Sequence, residues 1–283
     1  MYRRILIAAD PEGLAAGAAP AVAAIAEAEG AQVHLLTIDT RGRDGSPGLD
    51  EAVRRLEQEL EARHFSVQVE RREAAGGKVA DEIAAAAGAF QADLIVLGSH
   101  RHGDVAGFFV GSVGRALASQ VSTPILVVSG AAAHPPSGPG RILVAVDGGP
   151  LSHEAVVAAA AIARPGTEVT ALYVDNPAGG LGAYQVYVDP TPTEIAGTEA
   201  LDDAMKTLSE AGITGHARRV YNLESTGDAI ARTADELDAD LIVLGSRRPG
   251  NVEALLLGSV AHAVIARTRR AVLLAPVVEP GSR

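Results

Sequence analysis

Cysteine and tryptophan are absent from the 283 residues, and aromatic side chains make up only 3%. Without cysteine there can be no disulfide, no thiolate nucleophile and no zinc site of the thiolate type. Long apolar runs are missing as well: none approaches the roughly 18 residues that a membrane-spanning helix needs. The opening MYRRILIAAD passes from two arginines straight into a short strand. It shows neither the apolar core nor the small-residue cleavage site of a secretory leader, so a soluble, cytoplasmic protein is expected. Positive charge is scarce, with 24 Lys and Arg against 35 Asp and Glu and a net charge of −11. A nucleic-acid binder needs a basic footprint to displace counterions from phosphates, and nothing here supplies one.

What is abundant is Ala, Val, Leu and Ile, within a hydrophobic fraction of 47%. That mixture suits parallel strands buried on both faces with Ala-rich helices packed closely on them. The chain also repeats itself. RRILIAAD (Arg3–Asp10) returns as GRILVAVD (Gly140–Asp147), ADLIVLGS (Ala92–Ser99) returns unchanged as Ala239–Ser246, and VGSV (Val110–Val113) returns as LGSV (Leu257–Val260). The first pair is offset by 137 residues and the other two by 147, so the second copy holds ten extra residues. The Gly- and Pro-rich stretch 176–193 is where they are expected, as a lid or as decoration. Pro135, Pro136 and Pro139 interrupt any helix or central strand. The division is therefore copy one at 1–130, a linker at 131–140 and copy two at 141–283.

Each copy reads as alternating strands and helices. Copy one has strands near Arg4–Asp10, Gln32–Ile38, Ser66–Glu70, Ala92–Gly98 and Pro124–Val128. Copy two has them near Arg141–Asp147, Glu168–Val174, His216–Tyr221, Asp240–Gly245 and Ala271–Pro276. Between them Val53, Leu56 and Leu60 share one helical face, as do Leu201, Met205 and Leu208. This order predicts an α/β fold of two tandem doubly wound parallel sheets, with ligands bound beyond the carboxyl ends of the strands.

The end of the fourth strand carries the most chemical information. Gly98-Ser-His-Arg101 precedes Gly111-Ser112 by nine residues, and Gly245-Ser-Arg-Arg248 precedes Gly258-Ser259 by the same interval. A glycine there lets the backbone come close to a ligand, and Gly-Ser opens a helix whose free amides and dipole favour an anion. The competing reading is a strand-end turn followed by a helix cap. Asp10 and Asp147, each ending a first strand, could accept hydrogen bonds from sugar hydroxyls or a base amino group. Alternatively they could cap the following helix, a role for which Ser152 is as well suited as Asp147. Other signatures fail. There is no Gly-x4-Gly-Lys-Ser/Thr loop, no Gly-x-Gly-x-x-Gly and no nucleophile elbow, and His100 and His102 lack the further ligands of a metal site.

Taken together, the Asp at the end of strand one, the ADLIVLGS strand and the glycine–serine loop resemble the universal stress proteins, twice over. The resemblance implies five-stranded parallel sheets of order 3-2-1-4-5 with ATP, and Mg²⁺ accompanying it, between strands one and four. It places Asp10 and Asp147 near ribose and adenine. Thr37 and Tyr173 would offer backbone contacts to the base, and Gly98, Gly111, Ser112, Gly245, Gly258 and Ser259 would hold phosphates. It implies pairing through fifth strands, either in a homodimer or between the two copies of one chain. One departure stands out: Arg101 and Arg248 occupy a position where the family has glycine. An arginine there strains a backbone that needs positive φ or fills the phosphate site; alternatively it neutralises phosphate charge. The expected role is a nucleotide-binding stress sensor or regulator with little or no catalysis. The rivals are an interaction scaffold with vestigial sites and an enzyme of a neighbouring nucleotide- or flavin-binding family.

Overall fold

Short runs of Ile, Leu and Val have no polar face to offer water, so they form strands covered on both sides. The computed structural model describes residues 1–9, 15–27, 30–39, 47–74, 78–98, 100–101, 108–109, 112–129, 138–175, 192–222, 225–246 and 258–276. Copy one contains β1 (Arg4–Ala9), α1 (Ala15–Ile25), β2 (Gln32–Asp39), α2 (Pro47–Glu61), β3 (Ser66–Glu73), α3 (Val79–Phe90), β4 (Leu94–Gly98), the two-residue strands β5 (His100–Arg101) and β6 (Phe108–Phe109), α4 (Ser112–Ala118) and β7 (Ile125–Val128). Copy two contains β8 (Arg141–Ala145), α5 (Pro150–Ile162), β9 (Glu168–Asp175), α6 (Pro192–Glu210), β10 (Gly215–Tyr221), α7 (Thr226–Glu236), β11 (Leu241–Ser246), α8 (Ser259–Arg267) and β12 (Ala271–Pro276).

The main strands form a single ten-stranded sheet, in the order β10-β9-β8-β11-β12-β7-β4-β1-β2-β3. Within each copy the strands are parallel and follow the expected order 3-2-1-4-5. The copies meet through one antiparallel pairing, with Val127 opposite Val272, Leu126 opposite Leu273 and Ile125 opposite Leu274. All six side chains are at most 3% exposed. Each contributes about 1.5–3 kcal/mol relative to an exposed position. The fifth strands of this chain are thus consumed by each other. Outside the strands, Ser129 Oγ donates to the Arg269 carbonyl at 2.7 Å, and β6 of copy one lies beside α8 of copy two.

The repeated Asp of ADLIVLGS has a structural task. Asp93 accepts from the amides of Arg3 and Arg4 at 2.8 and 2.9 Å, and Asp240 accepts from Gly140 and Arg141 at 2.7 and 2.9 Å. Each carboxylate thereby fixes where the first strand of its copy begins. The helical faces pack as their spacing implies: Val53, Leu56 and Leu60 are buried, as are Leu201 and Leu208, with Met205 partly covered.

Candidate functional site

Strand lengths leave a notch at the carboxyl end of copy two. β8 pairs with β11 up to Val144–Val243 and with β9 up to Ala145–Leu172. Its neighbours run on, β9 to Asp175 and β11 to Ser246. The notch lies where the connections diverge to opposite sides of the first strand, which is the ligand position of doubly wound sheets.

The chain leaves β8 earlier than expected. The strand stops at Ala145, not Asp147, because Gly148 turns with φ +79° and Asp147 Oδ1 accepts from the Gly149 amide at 2.9 Å. Neither proposed cap is the cap. Gly149 is the N-cap of α5, and the Ser152 hydroxyl donates to the Gly149 carbonyl at 2.9 Å. Asp147 is exposed at the mouth of the notch.

Tyr173 stands on the overhanging part of β9, against α6. A Cβ on Gly197 would sit 2.8 Å from Tyr173 Cε1, so the helix comes this near only because residue 197 is glycine. Arg219, its neighbour on β10, grips Asp175 through two contacts, Nε to Oδ2 and Nη2 to Oδ1, the latter at 2.9 Å. The Asp175 side chain is 6% exposed. The same guanidinium lies 5.7 Å from the ring centroids of both Tyr173 and Tyr221. Burial pushes the Tyr173 phenol above its ordinary range. The charges of Asp175 and Asp147 add to that rise, and Arg219 works against it. Asp147 and Tyr173 are therefore brought into one electrostatic neighbourhood, together with Asp175 and Arg219, which sequence reasoning missed.

The two glycines of copy two differ in role. At Gly245 a Cβ would meet the Leu151 carbonyl oxygen at 2.3 Å, so what comes close to this glycine is the backbone of α5. On that face the glycine serves helix packing. At Gly258, the N-cap of α8, a Cβ would meet nothing within 4 Å among the described residues, and glycine itself brings no side chain to cap the helix. Ser259 is exposed, and the amides of Ser259, Val260 and Ala261 have no acceptor within the helix. Their partial positive charge favours an anion.

In copy one, Thr37 pairs in register with Ala9 and Arg71 and is 4% exposed, with its hydroxyl 3.4 Å from the Glu70 carbonyl. Gly98 pairs with Val128, and Ser112 opens α4. Arg101 lies in a short antiparallel ladder opposite Phe108. Its backbone is thus extended, a conformation open to any residue, and the positive-φ strain considered for it does not arise. Asp10, Gly111, Arg248, most of the linker and residues 176–191 lie outside the described residues. Among the described residues, no group of three or more His, Asp or Glu side chains could hold a metal ion, and no helix is long and apolar enough to cross a membrane.

The profile of the Universal stress protein family matches residues 1–129 and 139–276. A universal stress protein of Mycobacterium tuberculosis is 29% identical over 196 residues, covering 65% of this chain and 62% of the relative. The match therefore spans less than two thirds of that relative's length. A universal stress protein of Methanocaldococcus jannaschii is 33% identical over 140 residues, 47% of this chain and 80% of the relative. The crystal structure of a universal stress protein from Archaeoglobus fulgidus superposes with a TM-score of 0.68, covering 97% of this chain and 99% of the other at 17% identity. At that identity the likeness is one of fold, and it extends over both copies.

Proposed function

Because the chain belongs to the universal stress protein family, we propose that it binds an adenine nucleotide in the notch of copy two and serves as a stress-response sensor or regulator. The observation that carries this reading is the start of α8 at Gly258, where the first amides have no acceptor within the helix and, among the described residues, nothing stands within 4 Å of where a Cβ would be. Phosphates would lie on Gly258 and Ser259, and Asp147 would accept from the ribose. The overhanging backbone of β9 at Tyr173 would face the base. Thr37, Gly98 and Ser112, with Asp10 and Gly111, are the corresponding assignments in copy one. Mg²⁺ would neutralise phosphate charge when bound with ATP.

No general base stands against a nucleophile at the described notch, so turnover of ATP is expected below about 1 s⁻¹, under the usual enzyme range. With the fifth strands paired inside the chain, a homodimer through those strands is not expected. Equilibrium dialysis with ATP, ADP and AMP tests the binding: a Kd on the order of micromolar supports it. One observation favours a second reading, an interaction scaffold whose sites are vestigial: the Leu151 backbone covers one face of Gly245. Absence of saturable binding to all three nucleotides would select that reading.

A further inference from the structure

At the other end of the strands, copy two opens a cleft of about 370 Å³ between the start of β8–β9 and the last turn of α7. Its floor includes Ile142, Leu143 and Ala239, each at most 1% exposed; Leu237 and Thr170 form its walls. Arg141, Glu168, Glu236 and Asp238 rim it. The volume falls within the range of small-molecule pockets.

Copy one shows what fills the corresponding space. By strand register and by the ADLIVLGS repeat, Arg141, Thr170 and Leu237 occupy the positions of Arg4, His34 and Phe90. There the Arg4 guanidinium covers the Phe90 ring at 4.6 Å, and its Nε donates to the Phe90 carbonyl at 2.7 Å. The His34 ring meets Phe90 edge-on at 5.0 Å. Copy two keeps the arginine but replaces both rings with smaller side chains. Arg141 still reaches the Leu237 carbonyl, at 3.5 Å, and in addition contacts Asp238 Oδ2 at 3.2 Å and stands 3.8 Å from Glu168 Oε2.

We propose that this cleft binds a small aromatic ammonium compound. The ring would take the place that Phe90 fills in copy one, against the guanidinium of Arg141. A guanidinium attracts the face of an aromatic ring, and the apolar floor shelters its edge. The rim sets the sign of the substituent. Three carboxylates line the cleft against one arginine, and two of them are already engaged, Glu236 by Arg218 and Asp238 by both Arg270 at 2.9 Å and Arg141 at 3.2 Å. Among the described residues the Glu168 carboxylate has only the long contact to Arg141, and it is the partner for the ammonium group.

The test is titration of the isotope-labelled full chain with 2-phenylethylamine, followed by amide shifts at Arg141, Thr170 and Leu237. Phenylacetate and ethylamine serve as controls lacking the charge or the ring. Saturation with a Kd of about 1 mM or tighter is expected, as suits a ligand of this size. The Thr170→His, Leu237→Phe double variant imports the rings of copy one and should weaken binding about tenfold or more, since the pocket is then filled. Glu168→Gln, an exposed and structurally mild change, should raise Kd about fivefold for the amine. Failure to saturate by about 10 mM overturns the proposal, as does undiminished binding in either variant. Phenylacetate or ethylamine binding as well as the amine also overturns it. Should the double variant not fold, Glu168→Gln and the two controls decide alone.

Discussion

At matched positions the two copies handle the same residue differently. Arg71 on β3 and Arg219 on β10 stand opposite Thr37 and Tyr173 in the same register. Arg71 is 60% exposed and reaches Asp50 on α2. Arg219 is 22% exposed, holds the buried Asp175 and lies over two tyrosine rings. At the opposite end of the sheet the contrast reverses: copy one is filled by His34 and Phe90, and copy two is open. Duplication preserved the strand scaffold and left the two ends free to diverge. The difference teaches that the repeats are equivalent in topology and unequal as surfaces.

The largest expected effect comes from Gly245. In Gly245→Val the new Cβ has no place beside the Leu151 backbone, and we expect a loss of about 3 kcal/mol or more by urea denaturation, since overpacking against backbone cannot relax by a rotamer change. Next comes the arginine comparison. Asp175→Ala leaves a largely covered guanidinium without its carboxylate and should cost about 2 kcal/mol, whereas Asp50→Ala in copy one should cost under about 1 kcal/mol because that pair is exposed. Equal losses in the two copies would contradict the asymmetry. Phe90→Leu should open in copy one the space already open in copy two, at about 1 kcal/mol, the lower end of large-to-small changes because Phe90 is only partly buried.

The smallest effect is a pH dependence in copy one. Hydrogen bonding from Arg72 holds the Glu70 carboxyl below its usual range, with a further contribution from His34, whose Nε2 is 2.7 Å away. A depressed folded-state pKa means the stabilisation is present above the ordinary Glu value of about 4.3 and is lost as pH falls through the folded-state value. Glu70→Gln should therefore cost a little stability at neutral pH and flatten the acid limb of the stability curve, the two proteins converging at low pH. An unchanged acid limb would show that Glu70 contributes nothing there.

Much of the architecture was legible in the sequence because it rests on local pattern. The starts of α4 at Ser112 and α8 at Ser259 agree with the sequence, and β12 has the expected bounds. The unchanged ADLIVLGS repeat located β4 and β11, whose order beside β1 and β8 follows the resemblance. The site was less legible where distant segments decide. Nothing near Gly245 in the chain announces that Leu151 will lie against it, so its packing role is invisible in the sequence. The apolar pattern runs up to Asp147 and so implies strand there, whereas its own carboxylate and Gly148 turn the chain away first. The Asp175–Arg219 grip depends on side-chain direction across two strands. The missing rings of copy two could have been found by aligning His34 with Thr170 and Phe90 with Leu237.

The nucleotide reading is tested most directly at Gly258. Among the described residues nothing crowds a Cβ there, and Asp is a favourable N-cap, so the fold should be retained or slightly stabilised, while its charge opposes a phosphate at the same amides. Equilibrium dialysis of the full chain with labelled ATP should give saturable binding that Gly258→Asp weakens by about tenfold or more, the cost expected from placing a like charge against the anion. Equal affinity in the two proteins, or no saturable binding in either, would contradict it.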